Sequence, residues 1–185
     1  MAHRVEDYDA VTDHQKKVLF PLLQSELDGT EASVLDFGCG PGRFTAGLAE
    51  LVDGKATGVD ITSELLALAP KLPSVKYECI DTATLPFPDS SFDVVWSCLV
   101  LGGIPDGLVE QSISEIQRVL KPNGLFFFVE NTEPAANMKY WFFRSKEAYL
   151  QLADFSRPRV VGQYADAGQT ISVFAGRKAN SHALK

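Results

Sequence analysis

Cysteine is scarce in this chain: among 185 residues only Cys39, Cys79 and Cys98 occur, odd in number and too far apart to form a local metal-ligand pair. A disulfide scaffold is thereby excluded, and the expectation is a reduced, cytoplasmic protein with no metal. No apolar run approaches the ~20 residues that a membrane helix needs, so no membrane span is expected. The opening Met1-Ala2-His3-Arg4-Val5-Glu6-Asp7 lacks the apolar stretch of a signal peptide, which predicts a protein that is not exported. Basic residues are sparse over most of the length: residues 1–138 hold 9 Lys or Arg against 21 Asp or Glu, whereas residues 139–185 hold 8 against 3. A surface so acidic repels nucleic-acid backbones, so no nucleic-acid partner is expected. A phosphate loop ending in Gly-Lys-Ser/Thr is absent, and so is any Tyr-x-x-x-Lys pair.

What is present is an ordinary globular composition, 45% apolar and 22% charged, large enough to build a core without disulfides or metal. One domain over residues 1–185 is expected, with no repeat and no linker. Its first 30 residues form a lead-in helix, in which Val18, Leu19, Leu22, Leu23 and Leu27 recur at helical spacing and Pro21 either kinks the helix or restarts it. Strands are predicted at 33–37, 55–60, 75–79, 92–98 and 124–130, and helices at 43–52, 62–70 and 107–120. This alternation implies a doubly wound, mostly parallel Rossmann-like sheet with helices on both faces. The Pro-rich segment from Leu85 to Ser91 is a loop. Residues 131–160 form a substrate-side segment with a short helix near Ser145 to Asp154. A C-terminal antiparallel hairpin closes the chain, its strands around Arg159 to Tyr164 and Thr170 to Arg177, before a frayed tail from Lys178.

The chemistry concentrates after the first strand, in Val34-Leu35-Asp36-Phe37-Gly38-Cys39-Gly40-Pro41-Gly42-Arg43-Phe44-Thr45. Glycines between a strand and a helix let backbone approach a ligand closely. The acid Asp60 ends the next strand, where a carboxylate accepts hydrogen bonds from ribose hydroxyls. A dinucleotide fingerprint would place its third glycine at Arg43, and here it falls one residue early, at Gly42. The nicotinamide oxidoreductase alternative is thereby weakened.

The Asp-Phe-Gly-Cys-Gly-Pro-Gly run resembles motif I of the class I S-adenosylmethionine-dependent methyltransferases, small and of the methyltransferase type 11 kind. The resemblance continues through Gly58-Val59-Asp60-Ile61, Asp81-Thr82-Ala83-Thr84-Leu85-Pro86 and Arg118-Val119-Leu120-Lys121-Pro122-Asn123-Gly124-Leu125, covering roughly residues 30–130 in order. It implies S-adenosylmethionine as cofactor and S-adenosylhomocysteine as product. Asp36 would help to hold the amino-acid end, unless backbone amides satisfy it. Gly38, Gly40 and Gly42 would contact the cofactor, Asp60 the ribose, Ile61 the adenine, and Asp81 with Thr82 the adenine amino group, with Cys98 beside them. The activity expected is methyl transfer to an oxygen or nitrogen of a small-molecule or carrier-linked acceptor. Trp141-Phe142-Phe143-Arg144-Ser145 and Ile171-Ser172-Val173-Phe174-Ala175-Gly176-Arg177 are also similar to small methyltransferases of sugar and glycan pathways, so a sugar or glycan precursor is one candidate acceptor.

Many relatives carry a Glu and a His after the fourth strand, where this chain has Leu99, Gly102 and Gly103. The usual base is absent from that loop, and the two glycines leave space for a bulky substrate. Glu130 and His14 are the catalytic candidates that remain, each with a plain alternative as a solvent-facing residue. Tyr8, Asn131, Tyr140, Trp141 and Arg144 are the substrate-side candidates, Arg144 for an anionic group. A pocket that is open or completed by a second subunit fits a monomer or a homodimer. A non-catalytic S-adenosylmethionine-binding module, used for regulation or assembly, is the alternative function.

Overall fold

A computed structural model describes residues 8–81, 84–134 and 141–180, Tyr8 by its backbone alone. The chain begins with helix α1 (Tyr8–Glu26), which runs through Pro21 without interruption and buries Leu19 and Leu23. Alternation then follows as β1 (Ser33–Phe37), α2 (Thr45–Leu51), β2 (Lys55–Asp60), α3 (Ser63–Leu66), β3 (Val75–Cys79), β4 (Phe92–Cys98), α4 (Asp106–Val119) and β5 (Leu120–Asn131). Helix α5 (Lys146–Leu152) and the hairpin β6 (Arg159–Asp166) and β7 (Gln169–Arg177) complete it.

The seven strands lie in the order β3-β2-β1-β4-β5-β7-β6. The first five are mutually parallel, while β7 runs antiparallel to β5 and to β6. The expected doubly wound sheet with a terminal antiparallel hairpin is therefore observed. Strand order reverses between β1 and β4, and ligands of open α/β sheets bind outside the carboxyl ends of the strands at such a point.

Alternation along the buried strands divides the core into two layers. Leu125, Phe127 and Val129 of β5 join Trp96, Leu48 and the α1 leucines on one face. Phe126 and Phe128 join Ile113, Ile116 and Tyr149 of α4 and α5 on the other. Parallel ring stacks stiffen both layers, Trp96 on Phe127 at 5.0 Å and Phe128 on Phe174 at 4.6 Å. Helix α4 shows why its sequence folds so: Val109, Ile113, Ile116 and Val119 recur on one buried face.

Two expectations change in detail. The helix expected over 62–70 is a single turn, Ser63–Leu66, because Pro70 and Pro73 close off its continuation and Leu65 and Leu68 bury too little to extend it. Strand β5 begins at Leu120, four residues early, because Leu120 pairs with Phe92 before a register shift around Asn123, whose φ is +62°. The loop from Leu85 to Asp89 is pinned by Arg118, which donates to the carbonyls of Leu85 and Phe87 and pairs with Glu115 and Asp89. No helix among the described residues is long and apolar enough to cross a membrane.

Candidate active site

The carboxyl edge of the sheet opens into a cleft of about 680 Å³, within the range of small-molecule sites. Its lining follows strand order. Asp60 ends β2 and Ile61 and Thr62 follow it, Gly38 to Pro41 follow β1, and Cys98 ends β4 with Leu99 and Val100 after it. Asn131 ends β5, and Gln169 and Ile171 open β7, with Asp166 at the end of β6. The register Asn131 to Ile171 brings the hairpin to this edge.

The glycine turn is held by backbone hydrogen bonds of its own. The amides of Gly38 and Cys39 both donate to the Val59 carbonyl, at 2.9 and 3.0 Å, which ties the turn to β2. Gly38 and Gly40 have φ of +73° and +53°, where side chains are strained. A Cβ on Gly38 would overlap Val100, whereas one on Gly40 would meet only Leu65 at 4.0 Å. Gly40 is therefore the point of close approach. Gly42 does not line the cleft, contrary to its expected contact role: it closes the turn against Tyr77, which a Cβ there would strike.

Asp60 links the turn to the segment after β2, accepting from Gly40 N at 2.8 Å and from Thr62 N at 2.9 Å. Beside it Ile61 stands 75% exposed at the mouth, an apolar surface left largely uncovered by the described residues. Deeper, the buried Asp36 accepts from Thr45 Oγ1 at 2.6 Å, and burial pushes its pKa up to about 7. Cys98 also lines the cleft, and burial holds its thiol protonated well above the ordinary thiol range. Asp81 is exposed and lies outside the cleft lining, and Thr82 lies outside the described residues.

Both catalytic candidates are displaced. Glu130 is 0% exposed, its carboxylate turned away from the cleft onto the amides of Val100, Leu101 and Gly102 at 3.0, 2.7 and 3.1 Å. Burial raises its pKa to about 7, against the downward pull of those amides and of Tyr149. It organises a loop and does not face an acceptor. His14 is exposed on α1, while its neighbours Val11 and Gln15 line the cleft. A helix turns 100° per residue, so His14 stands about 60° round from Val11 and about 100° from Gln15, at the solvent side of the cleft-facing stripe.

At the β5–β7 end Asn131 and Trp141 line the cleft, Asn131 donating to Gln169 Oε1 at 2.8 Å. Arg144 does not: only 8% exposed, it donates to the carbonyls of Leu101 and Ile104 and pairs with Asp106, so it has no free face for an anion. The space expected from the glycine pair is also halved. The Trp141 indole occupies the ground above Gly102, while Gly103 stays open. Tyr140 and the side chain of Tyr8 lie outside the described residues.

Sequence reasoning missed Gln15, Arg43, Asp166 and Gln169. Arg43 donates to Thr12 Oγ1 and Gln15 Oε1 and lies 4.8 Å from the Phe44 ring centroid, tying α1 to the cleft floor. Its signal was its place where a third glycine was sought. Asp166 and Gln169 carried only turn chemistry in the sequence, and it is strand pairing that brings them to the site.

A family model described as a methyltransferase domain matches residues 35–128. The demethylmenaquinone methyltransferase of Staphylococcus aureus is 37% identical over 70% of this chain and 62% of its own length. That of Symbiobacterium thermophilum is 34% identical over 66% of this chain and 52% of its own length. The chain thus spans about half to three-fifths of the length of these relatives. In fold, it is similar to Haemonchus contortus phosphoethanolamine N-methyltransferase 2 in complex with S-adenosyl-L-methionine, with a TM-score of 0.71 and 16% identity over 96% of this chain and 59% of that one. With the domain match extending from β1 into β5 and the strand order on the page, the chain belongs to the class I S-adenosylmethionine-dependent methyltransferases.

Proposed function

We propose that this chain transfers the methyl group of S-adenosylmethionine to a ring carbon of a small hydroxylated aromatic acceptor. The observation that carries the reading is the ordering of groups along one sheet edge: Asp60, Ile61 and Gly40 at the β2–β1 end, Asn131, Gln169 and Asp166 at the β5–β6 end. The residues at the first end fit an adenosyl group. Asp60 offers carboxylate oxygens for ribose hydroxyls, Ile61 an uncovered apolar face for the adenine, and Gly40 room for the chain between. Asp36 in its ionised form, with Arg43 near, would hold the zwitterionic amino-acid end.

The cofactor, when bound, supplies a methyl carbon already activated by the sulfonium. The protein's part is to hold the acceptor carbon in line at ~3 Å and to exclude water. Leu99, Val100, Ile104, Trp141 and Ile171 form apolar walls suited to that. An aromatic carbon becomes nucleophilic when a neighbouring hydroxyl loses its proton, and Asp166 is the cleft carboxylate on the acceptor side to receive it. The relatives named demethylmenaquinone methyltransferase favour a carbon acceptor over the oxygen or nitrogen, or the sugar precursor, expected at first.

The test is incubation with S-adenosylmethionine and, separately, a dihydroxynaphthalene, a catechol, a primary amine and a sugar nucleotide, with S-adenosylhomocysteine and product mass as readouts. A C-methylated naphthalene product is expected. Turnover on the catechol oxygen or the amine alone would reassign the acceptor atom. Cofactor binding with no turnover on any of them would favour the non-catalytic module.

A further inference from the structure

The loop after β4 forms one wall of the cleft through Leu99, Val100, Gly103 and Ile104, yet little in its own sequence fixes it. Leu99 sits at φ +58°, a conformation that leucine rarely adopts, and two glycines follow. What holds it comes from two other elements. Glu130 of β5 gathers the amides of Val100 and Leu101 on Oε1 and that of Gly102 on Oε2, with Tyr149 of α5 at 3.4 Å on the same Oε2. Arg144, before α5, takes the opposite polarity of the same loop, donating to the carbonyls of Leu101 and Ile104 at 2.8 Å each. Val100, thus fixed, packs on the missing side chain of Gly38 in the glycine turn.

We infer that Glu130 is a positioning residue that couples the acceptor wall to the cofactor turn: by clasping residues 100–102 it presses Val100 onto Gly38 and so sets the turn's fit to the cofactor. The inference rests on the cofactor lying over that turn. Three backbone donors converging on one fully buried carboxylate form a unit that no neutral side chain reproduces, because an amide offers a single acceptor oxygen. Arg144 carries the second arm of the clasp and leaves the cleft free of its charge.

The experiment compares the wild type, Glu130→Gln, Glu130→Ala and Val94→Ala, the last a buried truncation near the amino-terminal end of β4, away from the cleft. Amide hydrogen exchange is read at residues 100–102, and S-adenosylhomocysteine affinity by calorimetry. In Glu130→Gln, exchange there should quicken at least tenfold and the dissociation constant rise about tenfold. Glu130→Ala should exceed both, and Val94→Ala should show neither change. Should Glu130→Ala fail to fold, Glu130→Gln, which keeps one acceptor oxygen, decides alone. Unchanged exchange in Glu130→Gln, faster exchange with unchanged affinity, or equal effects in Val94→Ala would each overturn the coupling. A wild type that does not bind S-adenosylhomocysteine would overturn the cofactor reading, and with it the coupling, while the exchange data still report on the clasp.

Discussion

At residue 102 the absence of one methyl group decides where the Trp141 indole can lie. Gly102→Ala must push the ring or the turn beneath it, and such overpacking costs about 1–3 kcal/mol. Gly103→Ala meets open space and should cost no more than about 0.5 kcal/mol. Urea unfolding of the two variants measures the contrast. In the sequence these glycines are equivalent, because nothing local says which of them meets a side chain from a distant segment. Asp36 is legible by position but not by protonation, since burial belongs to the folded molecule. Its pKa, pushed up to about 7 by that burial, has a definite sign in the stability. A folded-state value above the unfolded one leaves stability complete below the unfolded pKa and removes it as pH rises through the folded one. Between pH 5 and pH 8 ionisation of Asp36 should therefore lower stability by about 3 kcal/mol. Denaturant titrations at both pH values should show Asp36→Asn losing that share of the decline, while Glu130, also raised to about 7, keeps its own.

At the scale of elements, periodicity was a good guide wherever an apolar face had a layer to meet. The α4 face at Val109, Ile113 and Ile116 is an instance. Residues 62–70 are the counter-instance, with leucines at helical spacing of which Leu65 and Leu68 stay exposed. Helix α1 presents a different conflict. Pro21 lies inside it on the exposed side, yet the helix continues because Leu19 and Leu23 are wholly buried on the other. Proline there removes an amide donor and crowds the preceding turn, at a cost of up to about 3 kcal/mol in a helix interior. Since its ring is exposed, Pro21→Ala should raise the unfolding free energy by about 1–3 kcal/mol. A chemical denaturation midpoint that stays in place would mean that the helix has already absorbed the defect, for instance by opening its solvent-side carbonyls to water.

For the molecule as a whole, the rhythm of strands and helices makes the parallel sheet and its switch point legible. It leaves the β5–β7 half of the cleft only partly legible: Asn131 and Trp141 could be read as cleft residues, but Asp166 and Gln169 could not, because their place depends on β7 pairing with the end of β5. The half proposed to take the cofactor is local to β1 and β2, and that proposal is open to a direct test. Asp60→Ala removes a charged acceptor, for which about 2 kcal/mol of affinity is expected to go, roughly a 30-fold rise in dissociation constant. The substitution also strips Gly40 N and Thr62 N of their partner, so the unliganded variant will be less stable for reasons unrelated to binding. The informative quantity is therefore the increment that ligand adds to each protein's own baseline. At a free S-adenosylhomocysteine concentration 100-fold above the wild-type dissociation constant, that increment is about 2.7 kcal/mol for the wild type and should shrink to about 0.9 kcal/mol for the variant. Equal increments would mean that the turn, and not the carboxylate, carries the affinity, and the ribose would then have to lie away from Asp60.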